Sequence, residues 1–254
     1  DFEPEEVHRR CSVSTSLLRC SWNHTTLNIV DPPGAVSLLG ETLMAMHAVD
    51  AVILVVGATS GIRSELVRVC SRVTTLGLPC LLFFNQLDKE GVSLDEMVAI
   101  CKRELGIMAL PMSLPYRRAG QLNGAFDLVH QCLFSSSKEN PAAQQAPIPE
   151  NERTVVEEAR KCLQEGIAEG NDRLLEQYLA AGELTQEDLM NGLRLGVQAC
   201  RIVPLYSGSG IENIGIAPLL NAIVDLLPSP AEQASKASIE GVHPDTGETL
   251  HRRA

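Results

Sequence analysis

Apolar positions along the chain change period in a way that alternates strands with helices. Val13, Thr15 and Leu17 face one way and Ser12, Ser14 and Ser16 the other, the alternation of a half-exposed strand. The polar stretch Asn23-His24-Thr25 leads to a second run, Leu27-Asn28-Ile29-Val30, so the pair reads as an antiparallel hairpin at a sheet edge. Beyond it, Leu38, Leu39, Thr42, Leu43 and Met46 recur at helical spacing. Residues 51–56 are apolar throughout, as a parallel strand covered on both faces requires. Leu66, Val67, Val69, Cys70 and Val73 predict the inner face of a helix over 64–76, stopped by Gly77 and Pro79; residues 80–84 are the next buried strand. Ser93 with Glu96 is a capping box opening another helix, and 107–112 reads as a further strand.

Past 112 this rhythm breaks. The polar, Pro-rich stretch 135–149 reads as a loop. Val155, Val156, Ala159, Cys162 and Leu163 share one helical face, and Leu174, Leu175, Tyr178 and Leu179 a second. Thr185-Gln186-Glu187-Asp188 caps a third helix carrying Leu189, Leu193 and Val197. Strand character returns at 202–206, followed by an amphipathic helix over 214–227. The architecture predicted is an α/β open sheet formed by residues 1–112 and 202–227, with a helical insertion at 113–201 and an exposed linker at 228–254. Ligands of such sheets sit beyond the carboxyl ends of the strands, so chemistry is expected in the loops after Val30, Val56, Phe84 and Tyr206.

Composition narrows the classes. A net charge of −11 argues against nucleic-acid or anionic-membrane binding through net charge, so no independent DNA binding is expected. The apolar run at 51–56 falls far short of the about 20 residues that cross a bilayer, and a cytoplasmic protein without membrane attachment is expected. Eight cysteines show neither C-x-x-C nor zinc spacing and read as reduced, mostly buried small hydrophobes.

Three strand-end loops carry side chains suited to a nucleotide. In Asp31-Pro32-Pro33-Gly34 a carboxylate can hold a water on Mg²⁺, and glycine admits a backbone N–H to a terminal phosphate. The same residues also make a plain turn. In Asn85-Gln86-Leu87-Asp88 an Asp carboxylate can accept from the two adjacent donors on guanine's Watson–Crick edge, which adenine lacks in that arrangement. Small residues in Ser207-Gly208-Ser209-Gly210 let backbone N–H groups meet a base carbonyl, or make a generic loop.

Together, in this order, they resemble the GTP-binding domain of elongation factor G, the translational GTPase that drives ribosomal translocation. Residues 6–13, 27–34, 85–88, 204–215 and 226–230 carry the resemblance, and 171–187 is similar to that family's helical insert. It implies a P-loop-NTPase-like fold, GTP or GDP with Mg²⁺ as ligands, the ribosome as partner, and a monomer in intact form. Ser12 falls where the family offers a Thr hydroxyl to Mg²⁺. Asp31, also toward Mg²⁺, and Gly34 fall on the second switch, Asn85, Gln86 and Asp88 on the guanine-reading loop, and Ser209 with Gly210 on the loop meeting the base carbonyl.

Four departures follow. No G-x-x-x-x-G-K-[ST] phosphate loop occurs, and the look-alike at 57–64 has the wrong glycine spacing and no Lys. The family's phosphate loop, with its first strand and helix, would precede residue 1 and a β-barrel domain would follow 254, so an internal fragment is expected. Ala35 stands where the family has the His that positions the attacking water; groups of that kind contribute about 10²–10⁴-fold. Gln86 replaces a Lys whose stem packs on the base, and Pro32 stiffens the second switch. Three readings stay open: a piece of a divergent elongation-factor-G-like GTPase, a degenerate, non-hydrolysing module that binds the ribosome or a protein partner, or an unrelated α/β domain with turn-like loops.

Overall fold

A computed structural model describes residues 3–89, 93–135, 143–234 and 239–252. Helix α1 (Pro4–Arg9) precedes the hairpin β1 (Ser16–Trp22) and β2 (Thr25–Asp31). The expected strand at 13–17 starts late, because the carboxylate of Glu6 takes the N–H groups of Val13 (2.9 Å) and Ser14 (3.2 Å) and withdraws them from a ladder. Asn23 and His24 both have positive φ, the two-residue turn whose twist suits a tight hairpin. This hairpin is a sheet of its own rather than an edge of the main one. It is tied to the body where Trp22 Nε1 and Asn23 Nδ2 donate to Asn221 Oδ1, at 2.8 and 3.1 Å.

The main sheet is built in strand–helix order from α2 (Leu39–Ala45), β3 (Val52–Gly57), α3 (Ser64–Leu76), β4 (Cys80–Asn85), α4 (Leu94–Leu105) and β5 (Ala109–Pro111). Its fourth strand, β10 (Val203–Ser207), arrives much later in the chain, and the parallel order is β3-β4-β10-β5. Alternate residues serve two cores. Leu54, Val56, Leu82, Phe84 and Leu205 face α3 and α4, whereas Leu81, Phe83 and Tyr206 face the helices of the later segment. Ser93 caps α4 by accepting the Glu96 N–H, and Gly77 ends α3 with φ +63. Val67, expected inward, is 38% exposed, since it lies on the shoulder of α3.

Residues 113–201 do not begin with helices. Strands β6 (Ser113–Arg118), β7 (Gln121–Asp127), β8 (Cys132–Ser135) and β9 (Gln144–Ala146) form an antiparallel meander. Part of the loop expected at 135–149 is therefore strand, and its residues 136–142 lie outside the described residues. The helices then follow as the periodicity predicts: α5 (Arg153–Ala168), α6 (Asp172–Ala181) and α7 (Gln186–Gln198), the last capped by Thr185 Oγ1. Helix α8 (Ile216–Leu226) packs with them on the sheet. The segment expected as linker holds α9 (Pro230–Ala234) and a hairpin, β11 (Ile239–Val242) with β12 (Thr249–Arg252), turning at Asp245-Thr246-Gly247. None of the eight cysteines forms a disulfide, but only Cys70, Cys80, Cys101 and Cys132 are buried; Cys11, Cys162 and Cys200 are exposed, against expectation. Among the described residues no helix is long and apolar enough to cross a membrane.

Candidate functional site

Register brings β3, β4 and β10 to an end at one level, with Gly57 opposite Asn85 and Ser207 opposite Phe84. The two loops leaving β4 and β10 are laced together there. Gly208 N donates to Phe84 O (2.9 Å), and Leu87 N donates back to Gly208 O (3.0 Å). Asn85 Oδ1 accepts from Gln86 N at 2.8 Å and from Gly210 N at 2.9 Å. A side chain at position 208 would run into Ile214 O, so this lacing requires glycine. Ser209 is 1% exposed; its backbone exchanges both hydrogen bonds with Ile214, and its Oγ accepts from Glu212 N at 3.3 Å.

Gln86 sits at φ +69, which reverses the chain after Asn85. Its Oε1 accepts from Thr59 Oγ1 at 2.9 Å, folding the side chain over the loop that follows β3. Leu87 is 1% exposed and packs with Leu122 and Ile214 in a small apolar cluster apart from the two large cores. With its neighbour anchored, Asp88 points outward. It is exposed, and its carboxylate makes no hydrogen bond or ion pair with the described residues. Both oxygens are left to accept from a ligand.

Asn85, Gln86, Asp88, Ser209 and Gly210 are thus brought together. Ser12, Asp31 and Gly34 belong to the hairpin unit. Ser12 follows α1 in the stretch held by Glu6, and Asp31 is the exposed last residue of β2, opposite Ser16. Gly34 is exposed with open space where a Cβ would stand. Ala35 precedes the 3₁₀ turn Val36–Leu38 and offers it no side-chain cap. No group of three or more His, Cys, Asp or Glu suited to a metal exists among the described residues. The Ser12 hydroxyl and Asp31 carboxylate are the hard oxygen donors Mg²⁺ takes, and Mg²⁺ ordinarily completes its shell with water and phosphate.

Two side chains at this end of the sheet escape a motif search. Thr59 holds Gln86, and Arg117 of β6 donates through Nη2 to Leu87 O at 2.6 Å. Neither carries a spacing or composition signal linking it to residues 85–88.

On the face of β10 away from α3 and α4, a small cavity is lined by Asp127, His130, Tyr206, Asn221 and Asp225. Asp127, 2% exposed, accepts from Val129 N (2.8 Å), His130 N (2.9 Å) and His130 Nδ1 (2.9 Å). The hydrogen bond to Asp127 raises the pKa of His130 despite partial burial and the Arg160 charge nearby. Burial raises that of Asp225, and burial pushes the Tyr206 phenol well above its usual range.

A solved structure of a protein from Thermus thermophilus superposes on this chain with a TM-score of 0.83 at 29% identity, covering 99% of this chain and 38% of that one. This chain spans well under half of that protein's length. The sequence profile described as the elongation factor Tu GTP binding domain matches residues 1–229. With a parallel sheet whose strand ends carry an exposed Asp88 in the same loop as Asn85, which holds Gly210, the chain belongs to the elongation factor Tu GTP-binding domain family, guanine-nucleotide-binding proteins of the translational GTPase type.

Proposed function

We propose that the chain is the nucleotide-reading part of an elongation-factor-G-like translational GTPase, which binds GTP or GDP with Mg²⁺ and acts on the ribosome in the cytoplasm. In this reading residues 1–112 and 202–227 are the nucleotide core, 113–201 the insertion and 228–254 the passage to a further domain. The observation that carries it is Asn85, whose one carboxamide oxygen holds both Gly210 N and Gln86 N while Asp88 is exposed and has no partner among the described residues. Asp88 accepts from guanine N1–H and the exocyclic amine. On binding, the base carbonyl replaces Asn85 Oδ1 as acceptor of the Gly210 N–H, one acceptor exchanged for another. Ser12 and Asp31 supply oxygen ligands to Mg²⁺, which screens phosphate charge.

The phosphates themselves need a further segment, because these 254 residues contain no G-x-x-x-x-G-K-[ST]. Among the described residues strand β3 pairs only with β4, and Val55 in its middle is 56% exposed although the strand is apolar throughout. That bare edge and face support a phosphate-holding strand and helix added beside β3.

The test is a titration of the full-length protein with GDP, with ADP as control. Guanine-selective binding is expected. Asp88→Asn keeps one acceptor and puts a donor in place of the other, so GDP affinity falls by about 100-fold, the worth of one charge-assisted hydrogen bond. Affinity for xanthosine diphosphate, whose C2 carbonyl accepts that donor, rises. A second reading, a non-hydrolysing module that binds the ribosome or a protein, is favoured by two observations. Ala35 has no group to orient water, and Gln86 is spent on Thr59. Failure of the full-length protein to bind GDP selects it.

A further inference from the structure

We infer that Arg117, in the inserted meander, is a positioning residue for the guanine-reading loop, fastening the Leu87–Asp88 peptide so that Asp88 is presented in one direction; this rests on the nucleotide reading above. Strands β6 and β7 keep regular register from Ser113↔Asp127 to Tyr116↔Gly124, then shift so that Arg117 lies opposite Leu122 and Asn123 is left over. Asn123 Oδ1 closes this bulge by accepting from Arg118 N at 3.2 Å. Bulges re-aim side chains, and this one accompanies an Arg117 directed at the β4 loop. Its Nη2 donates to Leu87 O at 2.6 Å and its Nη1 to Gly120 O at 3.4 Å.

Leu87 is thereby held at three points. Gly208 O takes its N–H, Leu122 and Ile214 enclose its side chain, and Arg117 takes its carbonyl. The peptide plane that carries that carbonyl also carries the Asp88 nitrogen and Cα, so fixing its tilt places the Asp88 Cα, and the Lys89 N–H held by Gln86 O at 3.2 Å then restricts rotation about the Asp88 N–Cα bond. A guanidinium suits this role, because its rigid fork reaches two carbonyls at once and a charged donor makes the stronger bond. A Lys ammonium on a flexible stem would keep the charge without the fork.

Wild-type full-length protein is compared with Arg117→Gln and Arg117→Lys by amide hydrogen exchange and by GDP titration. The amides of Leu87, Lys89 and Gly210 report the loop without nucleotide, each being hydrogen-bonded within it. Expected in Arg117→Gln are exchange about tenfold faster at these amides, a GDP dissociation constant raised about tenfold and a Tm near wild type. Arg117→Lys should recover part of both. Exchange or GDP affinity left unchanged in Arg117→Gln, with wild type binding GDP, overturns the role of Arg117 and leaves the nucleotide reading standing. Faster exchange spread over the whole chain with a lowered Tm in both variants also overturns it, marking a merely structural residue. A wild-type protein that ignores GDP overturns the nucleotide reading and the proposal with it.

Discussion

Glu6 has no exposed surface, and its carboxylate gathers the N–H groups of Val13 and Ser14 and the Ser14 hydroxyl. Removing it would leave those donors without a partner, at about 1–3 kcal/mol. Glu6→Ala should therefore loosen the stretch that carries Ser12 and speed tryptic cleavage after Arg10 by about tenfold, the lower end of that range. Unchanged cleavage would show that the stretch is held by other contacts. Glu6 lies in one of the stretches resembling elongation factor G, yet the helix that carries it ends at Arg9, so no helical or strand period links it to Val13. The same holds for Thr59 beneath Gln86. Asn85, Asp88 and Gly210 were legible because each follows a strand that its own apolar run announces.

At the scale of elements, the β7–β8 connection is organised by the buried Asp127 beneath His130. Because this contact raises the folded-state pKa of His130 above its ordinary value near 6.5, protonated His130 stabilises the fold. That contribution is complete below the unfolded pKa and is lost as pH rises through the raised folded value. The Tm difference between wild type and His130→Gln should be largest at acid pH and shrink as pH rises through the raised folded-state value; a difference independent of pH would refute the pairing. Helices α3, α5, α6 and α7 were legible because each keeps an apolar face at 3.6-residue spacing over two or more turns. The meander was not. Pro115 sits inside β6 and Gly124 inside β7, residues that ordinarily argue against a strand, and β8 and β9 are too short to show alternation.

For the whole molecule, the decisive feature is the unpaired side of β3. Its apolar run is that of an interior strand, yet among the described residues it is an edge, with Val55 56% exposed, while Leu17 on the separate hairpin is 79% exposed. Open apolar edges invite pairing with other chains. The 254-residue chain should self-associate in sedimentation velocity as concentration rises, and Val55→Lys should suppress this. Monomeric behaviour of the unaltered chain would count against an accessible edge. The sequence by itself determined the strand–helix order, the caps of α4 and α7, the turn of the β1–β2 hairpin and the loops that gather at the strand ends. These are properties of neighbouring residues, where dihedral preference and apolar period act over a turn or two. Only the tertiary structure decided that the hairpin stands apart from the sheet, that a meander opens the inserted segment, and that Arg117 reaches the carbonyl of Leu87, 30 residues away. Such contacts are settled by how register and packing bring distant segments together, and separation along the chain carries no periodic trace of them.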